Sequence, residues 1–367
     1  MTKGMILAAG QGARVRPLTK DLPKPMVPIL GKPVMEYLID HMARHGVRQI
    51  MVNVAYHHRK IEEYFGDGSR WGVEIGYSYE GKLDHGDIQP CPLGSAGGMR
   101  RIQDFSGFFD ETTLVVCGDA LIDLDISAAV AEHRRQGAMA TVMAQPVPTQ
   151  EAPNYGLVVA DATGRVQAFQ EKPSPEDALS NLASTGIYLF EPPVLDLVPP
   201  QTRYDIGSQL FPLLVAQGLP FYVQTNPFHW IDIGRVSDYW LVLQRVLRGE
   251  VANMPMPGHE IRPGIWAGIN VQVAWDQVHL EGPVYIGSGV RIESGARIIG
   301  PTWIGHGCHI RRDAVVTRSV LFEYTRIGAG MAFQEVVMSP QYCVNRHGET
   351  TYRGDDTSAL RWSDARA

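Results

Sequence analysis

The stretch ILAAGQGARVRPLTKDLPKPMVPILGKP, residues 6–33, predicts both the fold of the first half of the chain and the place of its binding site. Its apolar start ends at Gly10 and Gly12, and Arg14, a second arginine and a proline-rich loop with Lys24 follow. A buried strand that ends in a glycine turn exposes backbone N–H groups, and cations beside such a turn favour a bound polyanion. We therefore expect a phosphate-binding site where the first strand ends.

Apolar runs and segments with helical spacing alternate through the first 250 residues. Strands are predicted over residues 3–8, 47–55, 73–79 and 112–117, with helices over 33–46 and 57–65 and after the glycine turn at 92–98. This alternation is typical of a Rossmann-like, doubly wound mixed α/β sheet, which binds ligands at the carboxyl ends of its strands. Asp119 and Asp232 each follow a predicted strand, so we expect both acids at a sheet edge. A turn or helix-capping role is an equal alternative for Asp119 on position alone.

A six-residue repeat follows residues 251–269, a segment rich in Pro, Gly and Met that is predicted to be a linker. One apolar residue recurs at every sixth position, with glycines at turns between them, at Leu280, Ile286, Ile292, Ile298, Ile304, Ile310, Val316 and Phe322. This period predicts a parallel β-helix of hexapeptide repeats over residues 270–340. The phase slips by one at Ile327, and residues 341–367 form a polar tail that the pattern does not place.

The composition is that of an ordinary globular protein. The formal net charge is −6, so the chain has no overall basic surface for nucleic acid. The four cysteines have no C-x-x-C spacing, which predicts reduced thiols in a cytosol and neither disulfides nor a zinc site. We find no signal-peptide pattern and no apolar run near the ~20 residues that span a bilayer. We therefore expect a cytoplasmic protein with no nucleic-acid or membrane partner.

The glycine turn lacks the patterns of two common nucleotide-binding classes. A dinucleotide fingerprint needs a third glycine where this chain has Val15, and the G-K-[ST] of a P-loop is absent. Two separated acids and several cations around a glycine turn suit metal-assisted phosphoryl or nucleotidyl transfer. Mg²⁺ takes one or two carboxylates and completes its shell with phosphate oxygens and water. The residues therefore predict a Mg²⁺-dependent transfer at a phosphate.

Residues 7–33 also resemble the signature of the sugar-1-phosphate nucleotidyltransferases. Six further motifs resemble family motifs in the family's order: PLGSAGG at 92–98, Gly118-Asp119, Tyr155-Gly156, the E-K-P at 171–173, TGIY at 185–188 and WIDIG at 230–234. The resemblance covers residues 1–250, which it implies are a catalytic domain with the nucleotidyltransferase fold. The repeat region is similar to the left-handed β-helix of several members, particularly mannose-1-phosphate guanylyltransferases.

The resemblance implies a role for each matching position. Arg14 and Lys24 would be catalytic residues that bind the phosphates, and Asp119 and Asp232 would hold Mg²⁺. The residues implied to bind the nucleotide are Leu7, Ala8, Ala9, Gly10, Gly12, Leu93 and Gly94. Those implied to bind the sugar phosphate are Gly156, Glu171, Lys172 and Thr185.

The resemblance implies an NTP and a sugar 1-phosphate as substrates, with GTP and mannose 1-phosphate as the first expectation and GDP-mannose as the product. Glucose-1-phosphate uridylyl- or thymidylyltransferase activity is the alternative within the family. A non-catalytic, sugar-nucleotide-sensing regulatory subunit is the alternative from another class, and the retained charged residues favour catalysis over it. We also expect a homo-oligomer. The chain departs from its relatives at residues 81–91, an inserted segment that could be a lid, an oligomer contact or a surface loop.

Overall fold

The computed structural model describes residues 2–84, 87–251, 254–354 and 361–367. Their contacts divide the chain into two units. Unit 1 comprises Met1–Gly12, Asp21–Met26 and Val34–Asp232, and unit 2 comprises Ala13–Lys20, Val27–Pro33 and Ile233–Ala367. The helices are α1 (Val34–Arg44), α2 (His58–Phe65), α3 (Ser95–Ser106), α4 (Ile126–Arg135), α5 (Phe211–Ala216) and α6 (Val236–Leu247).

The strands up to residue 232 mostly belong to unit 1, the short pair β2 and β3 being in unit 2. In chain order they are β1 (Lys3–Ala8), β2 (Pro28–Ile29), β3 (Lys32–Pro33), β4 (Gln49–Val54), β5 (Glu74–Tyr79), β6 (Gly81–Asp84), β7 (Asp87–Pro90), β8 (Thr113–Cys117), β9 (Ala120–Ile122), β10 (Ala140–Pro146), β11 (Gly156–Ala160), β12 (Val166–Glu171), β13 (Leu182–Phe190), β14 (Phe221–Gln224) and β15 (Trp230–Asp232). The strands and helices predicted over the first 120 residues are confirmed, and the majority of their predicted ends lie within two residues of the observed ends.

The main sheet of unit 1 is mixed, in the order β12-β11-β13-β8-β1-β4-β5, with β10 joining β13 and β14. Parallel pairing places β1 between β4 and β8, and antiparallel pairing adds β13 to the far side of β8. Both faces of the central strands are covered by other parts of unit 1. Their sequences are therefore apolar at successive positions and do not alternate with polar residues. Helix α1, for example, buries Val34, Leu38 and Met42 at helical spacing. The doubly wound, mixed α/β expectation is confirmed.

Unit 2 is built mainly of short strands stacked in three sheets. They are β16 (His259–Arg262), β17 (Ile265–Ala267), β18 (Gln272–Val273), β19 (His279–Glu281), β20 (Val284–Ile286), β21 (Arg291–Ile292), β22 (Arg297–Ile299), β23 (Thr302–Ile304), β24 (His309–Ile310), β25 (Val315–Thr317), β26 (Val320–Leu321), β27 (Thr325–Ile327), β28 (Ala332–Gln334), β29 (Val336–Met338), β30 (Tyr342–Asn345), β31 (Thr350–Tyr352) and β32 (Trp362–Asp364). Parallel pairing between successive coils gives the predicted β-helix.

The repeat keeps its phase until one turn before the predicted slip. Ile286 pairs with Ile304, which is 18 residues further on, and Ile304 pairs with Leu321, only 17 residues further on. Leu321 is fully buried and takes the inward position that we had predicted for Phe322. One residue is therefore missing from the turn before β26, so Phe322 is out of phase although its six-residue spacing is regular.

The organisation of the chain differs from the predicted domain limits. The described part of the predicted linker contains β16 and β17, and β17 pairs with β20 of the β-helix. Part of the predicted tail extends the same sheets as β30, β31 and β32. Helix α6 lies within the predicted catalytic domain, residues 1–250, but it clusters with unit 2, where the Trp240 indole donates to the carbonyl of Arg318. These strands lie at or near the ends of their sheets, where fewer residues are buried. Their sequences therefore lack the apolar period by which strands were predicted.

The inserted segment forms a β-hairpin within unit 1. Strands β6 and β7 pair antiparallel, and the Cys91 N–H donates to the carbonyl of Glu80 at its base. Its predicted role as a lid, contact or surface loop stays open. Over residues 2–84, 87–251, 254–354 and 361–367, we find no helix with the length and apolar character needed to cross a bilayer.

Candidate active site

Two neighbouring strands of unit 1 end together and define the edge of the candidate site. Leu7 of β1 lies opposite Cys117 of β8, and the Gly118 N–H donates to the carbonyl of Leu7 at 3.0 Å. A Cβ at Gly118 would lie 2.9 Å from Ile6 and 3.2 Å from that carbonyl. Glycine is needed here because the chain turns against β1, and this turn carries Asp119 out of the sheet.

A two-stranded ladder brings Asp232 to the same place. Strands β9 and β15 pair antiparallel, and Ala120 lies opposite Asp232. Asp119 directly precedes Ala120, so the two acids become neighbours although 113 positions separate them in the sequence. The structure therefore brings together the two acids that we predicted as metal ligands.

Lys24 lies at the point on which both carboxylates converge. Its ammonium pairs with Asp119 and lies 3.8 Å from Asp232. The Lys24 side chain is only 16% exposed. Burial lowers the pKa of Lys24, but Asp119 and Asp232 outweigh burial and raise the pKa above its ordinary value. Lys24 is therefore a cation at neutral pH and cannot serve there as a general base.

The chemistry of this pair of acids fits a Mg²⁺ ion. Within the described ranges, no group of three or more His, Cys, Asp or Glu residues is placed to hold a metal. Mg²⁺ needs only one or two carboxylates when phosphate and water supply its other ligands. The two carboxylates of Asp119 and Asp232 already hold one positive charge, the ammonium of Lys24. The residues present therefore fit a Mg²⁺ ion that takes its remaining ligands from phosphate and water.

Residues 7–12 line the end of β1, and Gly10 differs from most glycines of the chain. Ala8 and Ala9 are buried, whereas Gly10 is exposed. Gly12 has a φ of 67°, which favours glycine, but Gly10 is not in the left-handed region. A Cβ at Gly10 would meet nothing within 4 Å. Neither a close contact within the protein nor a left-handed backbone requires glycine at this position, so the role of Gly10 in nucleotide binding stays a prediction.

We predict that Gly10→Ala weakens nucleotide binding without destabilising the fold. The added methyl group has free space in the protein, but it would occupy the space into which a phosphate approaches. The expected result is a KM for the nucleotide raised by about tenfold, with Tm unchanged or slightly higher. Thermal unfolding and initial rates measured on the same preparation check both parts. A fall in Tm together with an unchanged KM would contradict this explanation of Gly10.

The second glycine turn, before α3, is held by a segment that the sequence did not single out. The Tyr204 N–H donates to the carbonyl of Leu93 at 2.8 Å, and the Gly97 N–H donates to the carbonyl of Tyr204 at 2.9 Å. A Cβ at Gly94 would lie 2.6 Å from the Tyr204 carbonyl. The glycines of PLGSAGG thus allow this close backbone approach, and they were the only sequence signal for it. Asp205 extends the contact by accepting from the Ser95 hydroxyl at 2.8 Å.

Three of the residues predicted to bind the sugar phosphate lie together at the β11–β12 hairpin. Gly156 and Glu171 are directly opposite each other in that ladder. A Cβ at Gly207 would lie 2.6 Å from Oε2 of Glu171, so a second glycine leaves that carboxylate uncovered. Lys172 has a φ of 49°, a strained conformation for a side chain of this size, and its ammonium lies 3.1 Å from Glu171. Such strain is common at functional sites, which favours a functional role for Lys172.

Buried side chains connect this hairpin to the pair of acids. Burial raises the pKa of the Cys117 thiol, and the nearby Asp119 and Asp232 raise it further. Burial also raises the pKa of Tyr188, and the nearby Cys117 and Glu171 raise this pKa further. The charges of the two acids and of Glu171 thus act on neighbouring buried groups of unit 1.

Two of the predicted site residues have other surroundings. Thr185 is 3% exposed and its hydroxyl donates to the carbonyl of Met143 at 2.8 Å, so its described bond is to the neighbouring strand. Arg14 is exposed and lies in the 3-10 turn Ala13–Val15, which clusters with unit 2. Sugar binding by Thr185 and catalysis by Arg14 stay predictions.

A family of known proteins matches most of this chain. The profile of a family described as nucleotidyl transferase matches residues 3–249. A UTP–glucose-1-phosphate uridylyltransferase of Synechocystis sp. is 51% identical over 366 residues, 99% of this chain and 94% of that protein. A mannose-1-phosphate guanylyltransferase of Mycobacterium tuberculosis is 28% identical over 331 residues, 90% of this chain and 82% of that protein. A solved structure from Bacillus anthracis, provisionally named a glucose-1-phosphate thymidylyltransferase, has a TM-score of 0.55 at 24% identity, covers 64% of this chain and 91% of that chain, and supports the fold alone. The chain thus belongs to the nucleotidyl transferase family, and its relatives are sugar-1-phosphate nucleotidyltransferases.

Proposed function

We propose that this protein transfers a uridylyl group from UTP to glucose 1-phosphate, giving UDP-glucose and pyrophosphate. The observation that carries nucleotidyl transfer is the convergence of Asp119 and Asp232 on Lys24 at one sheet edge. The choice of substrates rests on the 51% identity to a uridylyltransferase over nearly the whole chain, against 28% to a guanylyltransferase. GDP-mannose, our first expectation, is not confirmed, and the uridylyl alternative fits better.

In the proposed reaction, a phosphate oxygen of glucose 1-phosphate attacks the α-phosphorus of UTP in line. A new P–O bond forms as the bond from the α-phosphorus to the oxygen that bridges to the β-phosphorus breaks, and that oxygen leaves with pyrophosphate. Lys24 neutralises charge at the reacting phosphate, Arg14 holds the leaving phosphates, and Lys172 holds the phosphate of the sugar. Such fixed cations lower the barrier because they are already oriented when charge builds up.

Mg²⁺ is the proposed cofactor, and Asp119 and Asp232 are the residues that would hold it. A bound Mg²⁺ would neutralise phosphate charge that Lys24 alone does not balance. The two carboxylates keep their ion pair with Lys24 in its absence, which holds all three side chains in position for the substrate.

A pyrophosphate-release screen tests the proposal. The full chain is incubated with Mg²⁺, each of UTP, dTTP, GTP and ATP, and each of several hexose 1-phosphates. We expect the highest rate with UTP and glucose 1-phosphate. A higher rate with GTP and mannose 1-phosphate would overturn the choice of substrates, and release with no pair would overturn the enzyme itself and favour a sensing subunit.

We predict that Lys172→Met weakens binding of the sugar phosphate selectively. The Lys172 side chain is 53% exposed and already paired with Glu171, so its loss should leave the fold intact. Losing a charged hydrogen bond to phosphate is expected to raise the KM for glucose 1-phosphate by about tenfold, with the KM for UTP within about twofold. Lys60→Met, which removes an exposed lysine of α2, is the matched control. An equal rise in both KM values would argue against the assigned role.

We also propose a homo-oligomer, assembled through the β-helix. Ile261 and Ile269, near its first coil, are 42% and 74% exposed. Exposed apolar residues beside open strand edges favour pairing with another copy. Light scattering should give a mass that is a multiple of 40.6 kDa. The mass of one chain at every concentration would contradict this.

A further inference from the structure

A chain of buried hydrogen bonds crosses unit 1 between the two glycine turns. The Ala8 N–H donates to Oδ1 of Asn53 at 2.9 Å, Nδ2 of Asn53 donates to Oε1 of Glu80 at 2.6 Å, and the Leu93 N–H donates to Oε2 of Glu80 at 3.0 Å. Asn53 and Glu80 are each 2% exposed. We call these two side chains the Asn53–Glu80 bridge. It joins residues that lie 45, 27 and 13 positions apart.

The bridge is costly for the fold, and the neighbouring helix is adapted to it. Glu80 is almost completely buried, and this burial raises the pKa of its carboxyl group above the ordinary value. Gly98, inside α3, faces the bridge, and a Cβ there would collide with Oε1 of Glu80 and lie 3.1 Å from Nδ2 of Asn53. Glycine inside a helix is unfavourable, so the helix gives up stability to make room for these two side chains.

The bridge also holds Leu93 next to β1 in spite of the inserted hairpin. The chain leaves the sheet at Glu80, makes β6 and β7, and returns with the Cys91 N–H bonded to the carbonyl of Glu80. The Glu80 side chain then reaches past this return to the Leu93 N–H. The Leu93 N–H is thereby connected to Asn53 and β1 by hydrogen bonds that do not pass through the inserted segment.

We propose that the Asn53–Glu80 bridge positions the Leu93–Gly94 turn at a fixed distance from residues 7–10 and so makes the nucleotide site selective for a pyrimidine over a purine base. The inference rests on the proposed function and on the nucleotide-binding role that the family resemblance implies for these two segments. A gap of fixed width admits the smaller ring and excludes the larger, whereas a gap that can widen loses this discrimination. Asn53 and Glu80 are positioning residues in this account, since they act through the backbone of Ala8 and Leu93.

An exchange of functional groups tests the bridge. The chain of hydrogen bonds begins at the Ala8 N–H and ends at the Leu93 N–H, and both of these groups are donors. One amide and one carboxylate between them therefore give every donor an acceptor. Asn53→Asp places two carboxylate oxygens together, and Glu80→Gln leaves two donors facing each other, whichever way the amides are turned. The double variant Asn53→Asp/Glu80→Gln restores every bond. The amide then at position 80 can donate its N–H to the carboxylate then at position 53, and its carbonyl oxygen can accept from the Leu93 N–H.

Equilibrium binding of UTP and GTP to the full chain is measured for the wild type, both single variants and the double variant. Each single variant should bind UTP about tenfold more weakly and lose about tenfold in its preference for UTP over GTP. The double variant should recover both to within about threefold, and the KM for glucose 1-phosphate should stay within about twofold throughout. A purely structural bridge would lower Tm and leave the UTP-to-GTP ratio unchanged, and that result overturns the inference.

Gly98→Ala is the second variant, which displaces the bridge without removing any of its hydrogen-bonding groups and keeps the test decisive if a single variant fails to fold. It should shift the UTP-to-GTP binding ratio in the same direction, and an unchanged ratio in this folded variant also overturns the inference. Binding does not depend on turnover. A wild type that binds UTP selectively through the bridge but releases no pyrophosphate would therefore contradict the proposed function and leave the inference standing.

Discussion

Lys24→Met is expected to lower the rate of pyrophosphate release by about a thousandfold, the scale seen when a cation that stabilises a phosphoryl-transfer transition state is removed. Lys24 lies between Asp119 and Asp232, and its raised pKa keeps it charged across the neutral range. Methionine has a similar shape and no charge, so the substitution removes the cation and keeps most of the packing. Steady-state kinetics with UTP and glucose 1-phosphate measure the effect.

The thermal stability of the same variant should show that Asp119 and Asp232 bind Mg²⁺. Without Lys24, the carboxylates of Asp119 and Asp232 lose the cation that lies close to both of them, which lowers Tm. Mg²⁺ should then raise Tm by more in the variant than in the wild type, because it binds the folded state. Lys20→Met, four residues earlier in the chain, removes an exposed lysine whose described contact is the ring of Tyr352, and should leave turnover unchanged. Turnover by Lys24→Met within a few fold of the wild type would refute the role of Lys24.

Asp119→Asn should lower turnover by about a hundredfold at ordinary Mg²⁺ and raise the Mg²⁺ concentration needed for half-maximal rate. An amide is a far weaker ligand than a carboxylate for a hard cation. The substitution also removes half of the negative charge that holds Lys24 in place. Initial rates over a series of Mg²⁺ concentrations, with a chelator as the zero point, separate the loss of metal from the loss of chemistry.

Asp125→Asn is the matched control for this substitution. Asp125 lies six residues further along and caps α4 by accepting the N–H of Ala128 at 2.9 Å. Asparagine caps a helix as well as aspartate does, so stability and turnover should both be kept. If Asp119→Asn and Asp125→Asn behave alike, or if Asp119→Asn keeps the Mg²⁺ dependence of the wild type, Asp119 does not hold the metal.

The sequence predicted those parts of the fold and site that have a local pattern. The apolar run before Gly10, the helix that buries Val34 and its partners, and the six-residue repeat each show a period that burial imposes on the chain. Asp119 and Asp232 were predicted at a sheet edge because each follows a predicted strand, and Lys24 was predicted because it is a cation in the loop after the glycine turn.

What the sequence did not predict depends on contacts between distant segments. Asn53 and Glu80 are ordinary polar residues at strand ends, and nothing local shows that each is buried against the other. Tyr204 was missed for the same reason, although Gly94 and Gly97 mark the space that its backbone fills. Thr185 stands in a motif, and only the structure shows that its hydroxyl donates to Met143 on the neighbouring strand.

The phase of the β-helix shows a third limit of local patterns. Phe322 keeps the six-residue spacing by coincidence, because the residue directly after the inward Leu321 is also large and apolar. Leu321 is the buried member, and the pairing with Ile304 and Met338 identifies it. A period can therefore predict a coil correctly and still assign its inward residue to the wrong neighbour.

The most direct test of the account is phosphorus NMR of the full chain with UTP, glucose 1-phosphate and Mg²⁺. Because one P–O bond forms as another breaks, UDP-glucose and pyrophosphate should appear in equal amounts as UTP and glucose 1-phosphate disappear, and Lys24→Met should leave the spectrum unchanged. Unaltered UTP with the wild type, or orthophosphate in place of pyrophosphate and UDP-glucose, would contradict nucleotidyl transfer at this site.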